Sequence, residues 1–431
     1  MSEEHLLKLM DAVHEQYDIE YGGFLSNHYN HGLTALFTLD ACKERIDKWF
    51  EHYKYHSIRG ATLEPRPPVK QKVTMENWKE FLGEKTNFSG LDEFITSSFF
   101  GDEKHNNGDN DSQLTSVVEF CLSNGLFEGL SGAAFHMIIH LGYSLFMKKS
   151  NLFISEAVAY LIYSNRSLGK LEPYNVQPDD EVSNIKSFNS LLDVVTKVRE
   201  DSRLNNLYGI LPERFSKFQN RMIHIKTSGA NEILMEYLSS WKPIDSQTLE
   251  DFNSGTLSME KQRELIDNMS KQIAVLAVTA LYGCYSDEFF LLHGVTACFS
   301  VIQVGKYLNL GQALELYRYF LLALLAAYVA EGTPDLSPNP KLSEKAKNMN
   351  WNEIIDEVIN PNTTKNEEHA IKLVMVCKWF EDNGYTSILN ELGLSTDLFK
   401  LCAAQLVSKD TISYRFDTGF SRMRGLVGLF K

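Results

Sequence analysis

Paired cysteines, nucleotide-binding glycine loops, a surplus of positive charge and a membrane-length apolar run are all missing from this 431-residue chain. Its six cysteines, at 42, 121, 284, 298, 377 and 402, include no CxxC. That argues against a zinc knuckle or a redox pair and for reduced thiols packed as small hydrophobes. No GxGxxG follows a strand and no P-loop occurs, so a Rossmann crevice for a dinucleotide is not expected. Lysine and arginine number 42 against 56 acidic residues, a formal charge of −14, with no basic stripe to displace counterions from phosphate. No nucleic-acid partner is expected.

The longest apolar run, YFLLALLAAYVA from Tyr319 to Ala330, has 12 residues against the roughly 20 that span a bilayer. It reads as a central core helix, and no membrane partner is expected. The N-terminal MSEEHLLKLMDAVHEQY is an acidic amphipathic helix, unlike a signal or transit peptide, which predicts a cytoplasmic location. Proline is scarce, with 11 residues gathered in loops such as EPRPPV at 64–69 and EGTPDLSPNP at 331–340. Alternating strand patterns bounded by turn pairs are almost absent.

Helical periodicity is what the chain does have, in DEFITSSFF, QLTSVVEFCLS, SEAVAYLIYS, ANEILMEYLSSW and EEHAIKLVMVCKWFEDNG. The last opens with acidic residues and stops at Asn383 and Gly384. The fold class is all-α, a single large interleaved helical domain over 1–431 with a buried central histidine site. Segments 101–113 and 167–184, rich in Asn, Asp, Gly or Pro, read as surface insertions. Hydrophobic residues at 44%, with 26 Phe and 19 Tyr, suffice for a wide apolar pocket with hydroxyl handles.

Twelve histidines are present. His5, His14, His52, His56, His105 and His224 have charged or polar neighbours and are expected in solvent. The other six fall in four apolar boxes: SNHYNHGLTAL (His28, His31), GAAFHMIIHLGY (His136, His140), FFLLHGVTACFS (His293) and NEEHAIKLVMV (His369). On a helix, His136 and His140 share one face with Tyr143 close by. Separately buried imidazoles each need a partner, such as a carbonyl, whereas one divalent metal satisfies several at once. No HExxH or paired-carboxylate helix decides between these readings.

The four boxes, in this order over residues 27 to 372, resemble the questin oxidase family, whose fungal members oxidatively open anthraquinone rings. Carried over position by position, the resemblance implies metal ligands at His28, His136, His293, His369 and Lys372. The family has been described as NADPH-using Baeyer-Villiger oxidases, yet its ring-cleaving members look like non-heme iron dioxygenases with histidine ligands and a carbamylated lysine. Fe(II) is therefore the expected cofactor, with NADPH left open and zinc as the alternative. Relatives carry Met or Arg in place of His31 or His140, which implies that these two, with Tyr143, act in the pocket. The implied partners are a small hydrophobic aromatic or quinone-like substrate and molecular oxygen.

A lysine makes chemical sense in such a set. Four neutral imidazoles leave the full charge of Fe(II) in a low-dielectric core, and the first three boxes contain no Asp or Glu. Lys372 lies one turn after His369, and a buried amine with a depressed pKa can capture carbon dioxide as an anionic carbamate. The alternatives are an ordinary lysine packed by its stem, or Glu367 or Glu368 as the oxygen ligand. Asp287, Glu288 and Glu156 are candidates to fix imidazole tautomers, and Tyr143 and Thr296 to orient oxygen or a phenolic substrate. Two other functions remain open: a zinc hydrolase, and a helical binding protein without catalysis.

Overall fold

Helix-start chemistry recurs along the chain. Asn309 with Gln312 and Asn350 with Glu353 form reciprocal capping boxes, and the Ser258 and Ser150 hydroxyls accept backbone N–H groups at two further starts. The structure, a computed structural model, describes residues 2–56, 62–105, 111–174, 190–204, 218–284, 289–337 and 342–408. Five helices open it: α1 (Glu3–Gln16), α2 (Tyr29–Thr38), α3 (Lys43–His56), α4 (Phe88–Phe99) and α5 (Asp111–Ser123). Then come α6 (His136–Met147), α7 (Asn151–Tyr163), α8 (Leu191–Glu200), α9 (Phe218–Thr227), α10 (Ala230–Ser240) and α11 (Ser246–Asn253). The C-terminal part holds α12 (Met259–Gly283), α13 (Phe289–Gly305), α14 (Leu310–Ala330), α15 (Glu344–Asn348), α16 (Trp351–Ile359), α17 (Glu368–Asp382) and α18 (Leu398–Val407).

The fold is all-α, as the periodicity predicts. Among the described residues the one sheet is a ribbon of β1 (Glu20–Tyr21) and β2 (Leu25–Ser26), antiparallel. Helix α17 ends where expected, with Gly384 in the left-handed conformation that favours glycine. Of the expected insertions, 106–110 and 175–184 lie outside the described residues, and Asp111–Gln113 begin α5 instead of a loop.

Burial arranges these helices around α13, which packs on α6, α12, α14 and α17. Helix α2 bridges α6 and α17, so an early and a late part of the chain meet across one core. The apolar run at 319–330 extends N-terminally into α14, a helix long and apolar enough by length and composition to cross a membrane. In this fold 94% of its most apolar stretch is buried among the other helices, which is the place of a core helix.

The α6–α13 crossing is tight at Gly142. A Cβ built there would lie 2.2 Å from both Cα and Cβ of Ser300, so only hydrogen leaves room for the second backbone. Gly142→Ala should push the two helices apart and cost about 1–3 kcal/mol, as overpacking of a dense core does. Urea unfolding should show a lower midpoint with an unchanged slope; an unchanged midpoint would mean that the crossing is loose.

Candidate metal centre

Each of four helices delivers one imidazole to the same point. His28 is the N-cap residue of α2, His136 begins α6, His293 lies in the first turns of α13, and His369 in the first turn of α17. All four are buried. The Nε2 atoms of His28 and His136 are 2.6 Å apart, those of His136 and His293 3.0 Å, and those of His293 and His369 3.2 Å. One ligand atom from each lies within 4.8 Å of all the others.

Hydrogen bonds at the opposite ring nitrogens fix what faces the centre. His136 Nδ1 donates to the Ala133 carbonyl at 2.5 Å and His293 Nδ1 to the Phe289 carbonyl at 2.6 Å. A carbonyl only accepts, so both protons sit on Nδ1 and both Nε2 atoms present lone pairs. His369 Nδ1 is 2.5 Å from Glu367 Oε1, and His28 Nδ1 faces Glu368 Oε1 at 3.2 Å and the Tyr53 hydroxyl at 3.4 Å. Where two unprotonated Nε2 atoms face each other, as in the His136–His293 and His293–His369 pairs, they repel unless a cation lies between them. His28 Nδ1 has no carbonyl partner, so in the metal-free protein its Nε2 can donate to His136. Protons are poor candidates, because burial drives all four pKa values well below the ordinary histidine range, and the Lys372 charge lowers them further. A metal ion fits better: with metal–nitrogen bonds of about 2.1 Å, neighbouring ligands at right angles are about 3.0 Å apart and opposite ones about 4.2 Å.

The turn before His136 is strained. Ala133, Ala134 and Phe135 take φ of 45°, 51° and 67°, three consecutive left-handed residues that are not glycine. Each such residue costs about 1–2 kcal/mol. The turn aims the Ala133 carbonyl back at the His136 ring. No motif in GAAF announces this; a run of small residues was the only sign.

Lys372 is wholly buried and its Nζ has no hydrogen-bond partner. Burial pulls its pKa down to about 8 against the opposing pull of Glu368 and Glu367. It stands one turn after His369 on α17, and its charge lowers the pKa values of all six box histidines. Glu368, also buried, is pushed up to about 8 by burial and by Glu367. Glu367 stands on the Nδ1 side of His369 and orients that ring, while Glu368 Oε1 lies 3.2 Å from His28 Nδ1 without a hydrogen bond to it.

His31 and His140 form a second, adjoining pair, with ring centroids 4.1 Å apart and His31 5.6 Å from His28. Tyr143 packs on His31 at 5.2 Å and Tyr160 meets His140 edge-on at 5.4 Å. Neither ring nitrogen of His31 or His140, nor the Tyr143 hydroxyl, has a hydrogen-bond partner, although all are buried. Burial lowers the His140 pKa to about 3, so this ring is neutral.

Several expectations need correction. His14 is not solvated: 12% exposed, it sits 3.0 Å from Glu156 Oε1 in a network with Arg66 and Asp92. Burial lowers its pKa, but the Glu156 and Asp92 charges outweigh that and raise it. Glu156 therefore pairs with His14 and Arg66 and not with a ligand imidazole, because α1 brings a cation to it. Thr296 spends its hydroxyl on the His293 carbonyl of its own helix, at 3.2 Å. His5 and His105 are partly exposed beside Asp47 and Asp11, as surface residues should be. Asp287, Glu288 and the His56 side chain lie outside the described residues.

A family model described as questin oxidase-like matches residues 25–377, a span that contains all four histidines and Lys372, and the chain belongs to that family. The family makes it an oxidase-type oxidoreductase with a small-molecule substrate. No curated protein matches the chain.

Facing Nε2 lone pairs on His136, His293 and His369 are a cost to the metal-free site. In metal-free protein, His136→Met should lower stability by less than the cost of about 1–3 kcal/mol that orphaning the Ala133 carbonyl alone would bring, because the lone-pair repulsion goes with the ring. The measurement is the melting temperature of the two metal-free proteins, and a loss at or above that full cost would contradict the lone-pair argument.

Proposed function

We propose that the chain is a non-heme iron oxygenase that oxidises or opens a polycyclic aromatic or quinone-like substrate, with Fe(II) held by Nε2 of His28, His136, His293 and His369. The observation that carries this reading is the meeting of their Nε2 atoms at 2.6 to 3.2 Å while the Nδ1 side of each ring faces an oxygen. Such a set suits a divalent ion of borderline softness. Bound there, Fe(II) supplies the activation of molecular oxygen that side chains alone lack.

The chain's own groups set the conditions for that chemistry. Glu367 and the Ala133 and Phe289 carbonyls hold the ring protons away from the centre, which keeps three Nε2 lone pairs available at any pH where the fold persists. Lys372 supplies the missing anion: its neutral Nζ forms an N–C bond to carbon dioxide, one proton leaves to solvent, and a carbamate oxygen faces the cation. His31, His140 and Tyr143 are unpartnered polar groups in an otherwise apolar wall, and they orient the oxygen-bearing end of the substrate. Phe299 packs on Tyr143 and Tyr160 on His140, closing the wall around them, while Phe289 packs on the His293 and His369 rings.

Elemental analysis of anaerobically purified protein should find about one iron per chain, with oxygen consumption on adding a hydroxylated anthraquinone, measured with and without NADPH. Zinc without oxygen uptake would replace the proposal with a hydrolase, and a metal-free chain would leave a binding protein. Carbamate formation needs the neutral amine, so metal retention in bicarbonate should rise with pH through about 8, where Lys372 loses its proton. Lys372→Arg keeps its charge below a pH of about 12 and cannot form a carbamate. It should fold yet lose the metal, and full metal content in that variant would sink the lysine's role.

A further inference from the structure

Helix α3 contributes no metal ligand, yet it touches both ends of the site. Arg45, Trp49 and Tyr53 follow one another at four-residue spacing and so line one stripe of α3. All three are buried. Arg45 Nε donates to the Val358 carbonyl at 2.8 Å, Nη1 to Asn366 Oδ1 at 2.6 Å and Nη2 to the Lys365 carbonyl at 3.1 Å. Trp49 Nε1 donates to the Asn366 carbonyl at 3.1 Å. Asn366 leads directly into Glu367, whose carboxylate accepts from the Ala370 N–H at 2.9 Å and holds His369 Nδ1 at 2.5 Å. At the other end of the stripe, the Tyr53 hydroxyl accepts the His28 backbone N–H at 2.9 Å.

We propose that Arg45, Trp49 and Tyr53 are positioning residues that bring two ligands into register: His28 through Tyr53, and His369 through Asn366 and Glu367. This rests on the metal-centre reading above. Three features separate it from ordinary packing. Arg45 makes no ion pair among the described residues and spends its donors on neutral oxygens, so its burial carries a desolvation cost that an apolar residue would avoid. Its fork grips three points of the segment from Val358 to Asn366, which a lysine's single ammonium cannot do. The stripe is also mechanically one unit: Trp49 stacks on Tyr53 with ring centroids 5.2 Å apart. The other edge of the Trp49 ring rests on Gly32 of α2, where a Cβ would lie 2.1 Å from Cη2. A shift of Trp49 therefore moves α2, and His28 with it.

The test uses the metal-stripped full chain titrated with cobalt(II), whose visible absorption reports both affinity and ligand geometry. Arg45→Met, Trp49→Phe and Tyr53→Phe are compared with Arg318→Met. Arg318 is an equally buried arginine on α14 that donates to the Glu172 carbonyl at 2.8 Å and serves as the control. Each stripe variant should bind cobalt about tenfold or more weakly, the usual effect of removing a group that orients a ligand. Its absorption band should shift as well. Arg318→Met should melt earlier but bind cobalt as the wild type does. Should Arg45→Met fail to fold, the two Phe variants decide the matter alone, Tyr53→Phe keeping its ring and losing only the hydroxyl, and Trp49→Phe keeping a smaller aromatic ring. Wild-type affinity and spectrum in both would overturn the positioning role while leaving the metal centre standing. A wild-type chain that takes up no cobalt would remove the metal centre itself, and the stripe's role with it.

Discussion

Repulsion among imidazole lone pairs in a dry core is the constraint around which this molecule is arranged. Water could relieve it, but the four rings are buried, and protonation is opposed by the same burial. The surrounding structure is accordingly built to hold the rings in place when attraction among them is absent. The left-handed turn at 133–135, the glycine contact at the α6–α13 crossing and the carboxylate that caps α17 all serve that end. Each is costly or intolerant of substitution, which is how strain gathers at functional sites.

The chain solves a second burial problem in the opposite way, a short distance off. His14, Arg66, Asp92 and Glu156 are also taken from solvent, but there two carboxylates meet two cations, and Arg66 is held in its charged form. That cluster is self-sufficient and ties α1 and the 62–69 segment to α4 and α7. The imidazole centre has no such internal answer. Beside it stand a lysine and a glutamate whose pKa values are both displaced toward their neutral forms, Lys372 downward and Glu368 upward. A core that neutralises its ionisable groups in this way offers a strong field to any ion that enters, since little dielectric screening remains.

Much of this was legible in the sequence. All-α architecture followed from 3.6-residue periodicity and the shortage of turn pairs, both of which are local properties of neighbouring side chains. The six box histidines stood out because each sat among apolar residues, and apolar neighbours predict burial of whatever lies on the same helix face. His14 misled for the same reason in reverse: its polar neighbours in α1 suggested solvent, and its actual partners come from residues 66, 92 and 156.

Tertiary structure alone decided how those residues combine. Periodicity says which face of α2, α6, α13 or α17 is buried, but not which faces meet, because helix packing depends on the shapes of surfaces far apart in the chain. The distances between Nε2 atoms, the tautomers set by the Ala133 and Phe289 carbonyls, and the separation of His31 and His140 from the four-ring centre all belong to that second kind of information. So does the role of α3, whose Arg45, Trp49 and Tyr53 look in sequence like an unremarkable amphipathic stripe. Composition and spacing determined the secondary structure and the set of buried chemical groups; only the packing of four separate helices placed their lone pairs at one point.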